Sequence, residues 1–275
     1  MSNDAAISDH YTNGQLIDRI ETAINKAGFT KETIKADDLS PVDEFHIGGR
    51  GATEHFFSNI HFKEQGNILD VGCGIGGASR FVATKYDCHV TGIDLTSEFI
   101  EVGNTLSEWV QMEPRVKLHQ GSALSMPFDN NLFDGGYMMH VGMNIVDKAT
   151  LFKEIYRTLR PGASFAIYDV MRLDDKDLKY PVPWATTSDT SSLSSPDEYK
   201  THLKNAGFKI DIENNCFERA VAFFKATKAK AETRSEPPIL GPHIIVGEGA
   251  PLKMKNLFEN IVGGLIAPFE IVVQK

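Results

Sequence analysis

Short apolar runs and longer amphipathic stripes alternate along the middle of the chain. The short runs predict buried strands, and they lie at 67–71, 89–93, 115–119, 133–139 and 164–169. The stripes repeat apolar residues three or four positions apart, which predicts helices, at 78–86, 97–110 and 150–159. Strands and helices in alternation form mostly parallel sheets with helices on both faces. The sequence therefore predicts an α/β domain.

The last third of the chain adds another helix and two more strands. Ser195 and Glu198 form a capping box at the start of a helix over 196–206. Apolar and polar residues then alternate over 208–213, which is the pattern of a half-buried strand and indicates the edge of a sheet. A final apolar run at 269–273 predicts the closing strand.

The segments outside this alternation predict caps over the sheet. Residues 14–27 carry the apolar stripe of an amphipathic helix, whereas 172–195 are rich in Pro, Ser and Thr and show no strong periodicity. We therefore expect an N-terminal helical lid over residues 1–60 and a main domain over 61–275. Insertions near 172–195 and 217–268 would cap the substrate of that domain.

Composition narrows the class of protein. The 275 residues carry a formal net charge of −9, which argues against a nucleic-acid partner because such partners need clustered Lys and Arg. No apolar run is long enough for a membrane span, and the polar N-terminus does not resemble a signal peptide. The three cysteines are scattered without metal-ligand spacing. We expect a cytoplasmic protein with a small-molecule substrate, no metal site and no membrane partner.

The run 68–77 is the most informative segment, because a strand there leads through a glycine-dense turn into a helix. Such a turn aims backbone N–H groups at a bound ligand. Its glycines, together with Asp94, match the dinucleotide fingerprint, so an NAD(P)-dependent oxidoreductase is one alternative. Asp70 argues against it, because a carboxylate before the first glycine would repel a pyrophosphate and attract an ammonium group.

Four motifs in order carry a resemblance to a known family. They are Asp70-Val71-Gly72-Cys73-Gly74-x-Gly76, Gly92-Ile93-Asp94, Gly121-Ser122-Ala123-x-x-Met126-Pro127-Phe128 and Leu159-Arg160-Pro161-Gly162. In this order and spacing the chain resembles the class I S-adenosylmethionine-dependent methyltransferases. The resemblance implies a Rossmann-like, seven-stranded, mostly parallel sheet with an antiparallel last strand, and S-adenosylmethionine as cofactor, with S-adenosylhomocysteine as its product.

The resemblance also implies a role for each motif residue. Asp70 would lie near the amino group of the cofactor, Asp94 would bind both ribose hydroxyls, and Leu95 would pack on the adenine. Ser122 and Ala123 would flank the adenine edge, although many relatives carry Asp at position 122. Backbone at the turn would approach the methionine part, which involves Gly72, Cys73, Gly74 and Gly76.

A finer resemblance points to the sarcosine/dimethylglycine N-methyltransferases among the small-molecule enzymes. It rests on the segment Pro41-Val42-Asp43-Glu44-Phe45-His46-Ile47-Gly48-Gly49-Arg50-x-Ala52-Thr53 and on Pro183-Trp184-Ala185. In such enzymes the N-terminal segments close over the cofactor. This implies that Tyr11, His46 and Arg50 lie near the reacting centre, with Tyr11 on the cofactor side.

Methyl transfer needs a positioned and deprotonated acceptor atom. His140 follows the fourth strand and has the near-neutral titration of a general base, with substrate positioning as its alternative role. Met143 and Asn144 would line the same pocket. Arg50, Arg172 and His243 are candidates for binding a substrate carboxylate, and Trp184 for a cation–π contact.

We expect methyl transfer to the amine of a small amino-acid-like metabolite. An oxygen or sulfur acceptor is the alternative within the same reaction. A regulatory protein that binds the cofactor without catalysis is a further alternative.

Overall fold

Seven strands form one twisted sheet at the centre of the molecule. The computed structural model describes residues 10–12, 14–236, 238–247 and 249–275. Within them the strand order is β3-β2-β1-β4-β5-β7-β6. The strands are β1 Asn67–Val71, β2 His89–Asp94, β3 Val116–Gln120, β4 Phe133–Met139, β5 Leu159–Arg172, β6 Lys209–Asn215 and β7 Ile266–Gln274.

The pairing confirms the predicted fold class. The first five strands pair in parallel, and β7 pairs antiparallel with both β5 and β6. The alternating segment after residue 207 is β6, which lies at the edge of the sheet as its pattern indicates. The chain therefore forms a Rossmann-like sheet in which one strand, β7, opposes the others.

Helices cover both faces of this sheet. Those between β1 and β6 are α4 Gly77–Tyr86, α5 Ser97–Trp109, α6 Lys148–Thr158 and α7 Pro196–Ala206. Those ahead of β1 are α1 Leu16–Lys26, α2 Ala36–Asp43 and α3 Gly49–Phe56. Those between β6 and β7 are α8 Phe217–Glu232, α9 His243–Val246 and α10 Ala250–Val262. Apolar residues of α1, α2, α5 and α9 form one buried cluster, so the N-terminal helices pack on the main domain. The division at residue 60 stays a prediction.

The structure corrects two boundaries of the fifth strand and its preceding helix. The helix ends at Thr158, and β5 begins at Leu159 and continues through Pro161 and Gly162. Leu159 pairs with Phe133, and a bulge then shifts the register. The long antiparallel pairing with β7 continues this strand to Arg172. Pairing with a distant strand decides these bounds, which local sequence does not encode.

A buried ion pair ties α2 to the helix that follows the glycine turn. The Arg80 guanidinium lies 2.8 Å from the Asp43 carboxylate, and both side chains are 1% exposed. Arg80 also donates to the carbonyl oxygens of Ile75 and Gly103. Because a buried cation without its partner costs several kcal/mol, on the order of 3–5, these contacts fix α2 against the sheet.

Candidate active site

A cavity of about 1000 Å³ opens at the carboxyl ends of the central parallel strands. Asp70 at the end of β1, Asp94 at the end of β2 and His140 just after β4 line it. Open α/β sheets bind their ligands at this edge. The cavity is therefore where the topology predicts a ligand site.

Close packing explains the glycine turn between β1 and α4. Gly72 has φ of 72°, and a Cβ there would lie 2.2 Å from Cγ2 of Val141. A Cβ on Gly77 would lie 2.3 Å from the backbone oxygen of Asp43. Only glycine fits these two positions, so the turn can approach both its neighbours and a ligand closely.

Hydrogen-bond donors from several elements hold the carboxylates of Asp70 and Asp94. Oδ2 of Asp70 accepts hydrogen bonds from the Ser79 hydroxyl at 2.6 Å and the Tyr137 hydroxyl at 2.9 Å. Asp94 accepts from the backbone N–H of Gly74 at 3.0 Å and from that of Thr96 at 2.9 Å. Burial raises the pKa of Asp70 to about 7 and also raises the pKa of Asp94.

His140 places an imidazole on the cavity wall. Its φ of 55° is left-handed, and its backbone N–H donates to the Tyr168 carbonyl oxygen at 2.7 Å. Both ring nitrogens are buried and have no hydrogen-bond partner within the part of the chain that the structure describes. Burial, with a smaller effect of His46, lowers the pKa of His140 well below its usual value. The near-neutral titration expected from sequence is therefore wrong, and the ring is neutral at physiological pH.

A line of polar contacts connects His46 to the protein surface. His46 Nε2 lies 2.9 Å from the Thr53 hydroxyl, which donates to Glu44 Oε2, also at 2.9 Å. The other Glu44 oxygen lies 2.8 Å from Nε of Arg50, and Arg50 also binds the exposed Asp37. The His46 and His140 rings are 5.9 Å apart between centroids. Two neutral imidazoles thus face one cavity.

A short 3-10 turn, Gly142–Asn144, brings Met143 and Asn144 into the cavity wall. The Tyr11 hydroxyl donates to the Asn144 side-chain oxygen at 3.5 Å. Behind the turn, the Tyr199 hydroxyl donates to Asp169 Oδ2 at 2.8 Å. Both atoms lie within 2.6 Å of where a Gly142 Cβ would be, at 2.3 and 2.5 Å. The turn is therefore packed tightly from behind.

The structure brings most of the residues predicted from sequence to this cavity. Those that line it are Tyr11, His46, Arg50, Asp70, Gly72, Cys73, Gly74, Asp94, Leu95, Ser122, Ala123, His140, Met143, Asn144 and Trp184. The indole N–H of Trp184 donates to the Ser191 hydroxyl at 3.0 Å, so this edge of the ring is hydrogen-bonded within the protein.

Three predicted residues lie elsewhere. Gly76 precedes α4 as its N-cap with φ of 80° and packs toward Leu118 on β3. The Arg172 guanidinium donates to the carbonyl oxygens of Asp174 and Lys176 at the end of β5. His243 lies in a separate groove against α1. The structure therefore does not bring Arg172 or His243 to the site where a substrate carboxylate would need them.

Sequence reasoning missed several side chains that line the cavity. Lys230, Arg234 and Lys253 come from the segment predicted to cap the substrate, and none of them forms an ion pair with a described carboxylate. Burial lowers the pKa of Lys253. Glu44 was missed as well. No spacing in the sequence indicates these positions, because they reach the cavity through tertiary packing.

In residues 10–12, 14–236, 238–247 and 249–275, no cluster of His, Cys, Asp and Glu is suited to hold a metal ion. Over the same residues, no helix has the length and apolar character required to cross a bilayer.

Comparison of sequences finds methyltransferases. Residues 69–167 match the family model of a methyltransferase domain. The chain is 28% identical over 186 residues to an O-methyltransferase of Pyrenophora dematioidea, which is 67% of this chain and 69% of that protein. It is 30% identical over 189 residues to phosphoethanolamine N-methyltransferase 1 of Zea mays. That match covers 69% of this chain but 37% of the maize protein.

Two solved structures share the fold over nearly the whole chain. Geranyl diphosphate C-methyltransferase from Streptomyces coelicolor A3(2), in complex with Mg2+, geranyl diphosphate and S-adenosylhomocysteine, gives a TM-score of 0.71 at 14% identity. The match covers 100% of this chain and 98% of that one. A protein from Galdieria sulphuraria assigned as a sarcosine dimethylglycine methyltransferase gives 0.67 at 16% identity, covering 94% and 98%. At such identities the likeness is one of fold.

Proposed function

Because this chain carries a class I S-adenosylmethionine-dependent methyltransferase domain, we propose that it methylates the amine of a small molecule that also carries an anionic group. The protein is a methyltransferase that uses S-adenosylmethionine. The family match thereby removes the oxidoreductase alternative.

The cavity residues fit the cofactor. S-adenosylmethionine supplies an electrophilic methyl group on a sulfonium, which leaves as a neutral thioether. The close approach of Gly72, the buried carboxylate of Asp70 and the half-buried carboxylate of Asp94 support binding at the turn, since they offer acceptors to an ammonium and to ribose hydroxyls. Such a leaving group needs no acid, so the remaining task of the protein is to orient and deprotonate the acceptor.

The observation that carries the acceptor assignment is the pair of unpartnered ring nitrogens on His140. Buried polar atoms in proteins are almost always hydrogen-bonded, and leaving one unpaired costs about 1–3 kcal/mol. A neutral imidazole has one lone pair that can accept a hydrogen bond. A bound amine would donate to it, and so would a hydroxyl. His140 would then orient the acceptor rather than take its proton, given its lowered pKa.

Positive charge on the capping segment supports an anionic group on the substrate. Among the described residues of 217–268, Lys230, Arg234 and Lys253 line the cavity and no Asp or Glu does. The protein as a whole is acidic, so this concentration of cations runs against its net charge of −9. These side chains take over the role that the sequence analysis gave to Arg172 and His243. A carboxylate or a phosphate would satisfy them equally well.

An oxygen acceptor is the second candidate, because a hydroxyl also donates to a neutral imidazole. A thiol is a weaker donor and is less favoured by the same argument. The finer likeness to sarcosine/dimethylglycine N-methyltransferases, proposed from short motifs, agrees with an anionic amine.

A methyl-transfer assay with labelled S-adenosylmethionine tests the proposal. The panel contains amines with a carboxylate or phosphate, the same amines without the anionic group, and matched alcohols and thiols. We expect the highest kcat/KM for anionic amines. Label transferred to alcohols or thiols alone would overturn the amine assignment, and equal transfer to neutral amines would overturn the anionic one.

A further inference from the structure

Two imidazoles face the cavity, and the structure surrounds them very differently. No described group forms a hydrogen bond with the ring nitrogens of His140. His46, in contrast, is joined to Glu44 through the hydroxyl of Thr53, with both contacts at 2.9 Å. Thr53 is fully buried and Glu44 is 5% exposed. Burial disfavours the charge of this carboxylate, and Arg50 at 2.8 Å from its other oxygen compensates in part.

While Glu44 is ionised, its contacts determine which nitrogen of His46 carries the proton. A hydroxyl has one proton, and Thr53 donates it to the Glu44 carboxylate. Toward His46 the same hydroxyl oxygen can therefore act as acceptor only, so Nε2 must be the donor. The lone pair of the neutral ring is then on Nδ1, the nitrogen that does not contact Thr53. This is the arrangement by which proteins orient a base through its second nitrogen.

We propose that His46 is the proton acceptor of the reaction and that Thr53 and Glu44 form its relay, an inference that rests on the proposed transfer to an amine. The substrate ammonium gives a proton to Nδ1 of His46 and keeps the electron pair that becomes the nucleophile. The Nε2 proton passes to the Thr53 oxygen, and the Thr53 proton passes to Oε2 of Glu44. The N–H bond broken on the substrate is balanced by the O–H bond formed on Glu44.

The groups around His46 suit a side chain that holds a proton only briefly. Burial lowers its pKa to about 4, the Gly49 backbone opposes this effect and the Arg50 charge adds to it. Other ionisable groups near the ring are His140 after β4 and Tyr168 on β5. Burial raises the pKa of Glu44 to about 7, Arg50 lowers it and the neighbouring Asp43 carboxylate raises it further. A proton thus does not rest on His46 but can reside on Glu44, whose other oxygen is paired with the Arg50 guanidinium.

Turnover of Thr53→Val tests the relay with a nearly isosteric change. We expect kcat with the best amine to fall about tenfold or more, while the affinity for S-adenosylhomocysteine stays unchanged. Thr53→Ser, which keeps the hydroxyl, restores most of the turnover. Thr158→Val is the matched control, because it also removes a fully buried helical hydroxyl, one that bonds Ile155 away from the cavity. Wild-type kcat in a folded Thr53→Val protein would overturn the relay.

The pH profile separates a relay from a packing role. Glu44 can accept the proton only when ionised, so wild-type turnover falls as pH drops below about 7. Glu44→Gln removes this titrating group, and we expect low kcat without this limb. Saturating S-adenosylmethionine is used so that Asp70, whose pKa is also about 7, stays in its cofactor-bound state. A Glu44→Gln profile that matches the wild type would contradict the assignment.

The tautomer of His46 tests the relay without an activity assay. Nitrogen-15 NMR of labelled imidazoles, with His46→Asn to assign the signal, should show Nε2–H in the wild type and a mixture in Thr53→Val. A wild-type Nδ1–H tautomer would refute the relay even in an active enzyme. Conversely, Nε2–H in a protein that methylates no amine would refute the proposed acceptor and leave the relay geometry intact.

Discussion

Single residues at the cavity combine burial with unusual hydrogen bonding. Asp94 accepts from the turn and Asp70 from Ser79 on α4, whereas the ring nitrogens of His140 have no hydrogen-bond donor or acceptor among the described residues. The motif glycines and acids could be predicted because their backbone or charge requirements are local. The contacts of Glu44, Thr53 and His46 could not, since they join α2, α3 and the loop between them in three dimensions.

Substitution of His140 should affect turnover and leave the cofactor bound. We expect His140→Ala to lower kcat about tenfold or more, because an acceptor that loses its hydrogen bond is misoriented. His140→Asn serves as the backbone control, since Asn tolerates the left-handed φ of 55° better than Ala does. Calorimetry with S-adenosylhomocysteine should give the wild-type affinity for both variants. Unchanged turnover in His140→Ala would exclude the residue from the reaction.

The helices and strands differ in how well the sequence alone predicts their positions. The capping box of α7 and the central strands are visible in the pattern because each satisfies a local rule. Helices α2 and α3 are not, since they are short and contain Pro41 and Gly51. Their positions depend on tertiary contacts such as the Arg80–Asp43 pair. The long β5 likewise depends on β7 as its partner.

The turn after β4 depends on a hydrogen bond between two other elements, which Tyr199→Phe removes. The variant leaves Asp169 without its Tyr199 donor, and we expect the free energy of unfolding to fall by about 1–3 kcal/mol at pH 8. Burial raises the pKa of Asp169 to about 6. Its carboxyl group is therefore charged at pH 8 but mostly neutral at pH 5, where the loss should be smaller. Urea unfolding at both pH values measures this, and an equal loss at both would contradict the charged-state explanation.

The whole molecule is acidic but presents cations to its cavity from the capping segment. The fold class and its seven strands could be predicted, because alternation of strands and helices permits few topologies. The charged lining of the substrate pocket could not be predicted. Helices α8 and α10 pack through apolar residues, and the pattern of those residues does not indicate which charged side chains reach the cavity. The proposed anionic group is thus a property of the assembled molecule.

Lys253 offers a test of that charge with a control in the same helix. We expect Lys253→Met to raise KM for an anionic amine about fivefold, near 1 kcal/mol for a lost charged contact, without changing KM for the matching neutral amine. Lys255 does not line the cavity and lies near Glu259 instead, so Lys255→Met should leave both values unchanged. Equal effects of the two substitutions on KM would show that Lys253 acts through the overall charge of the protein and not through contact with the anionic group.

Binding of S-adenosylhomocysteine to Asp94→Ala, measured by calorimetry, tests most directly whether this cavity is the cofactor site. Asp94 lines the cavity at the end of β2, where its carboxylate binds the N–H groups of Gly74 and Thr96. A ribose needs that carboxylate as acceptor. With a folded variant confirmed by its thermal unfolding, we predict no measurable binding heat. Wild-type affinity in Asp94→Ala would contradict the assignment of the site.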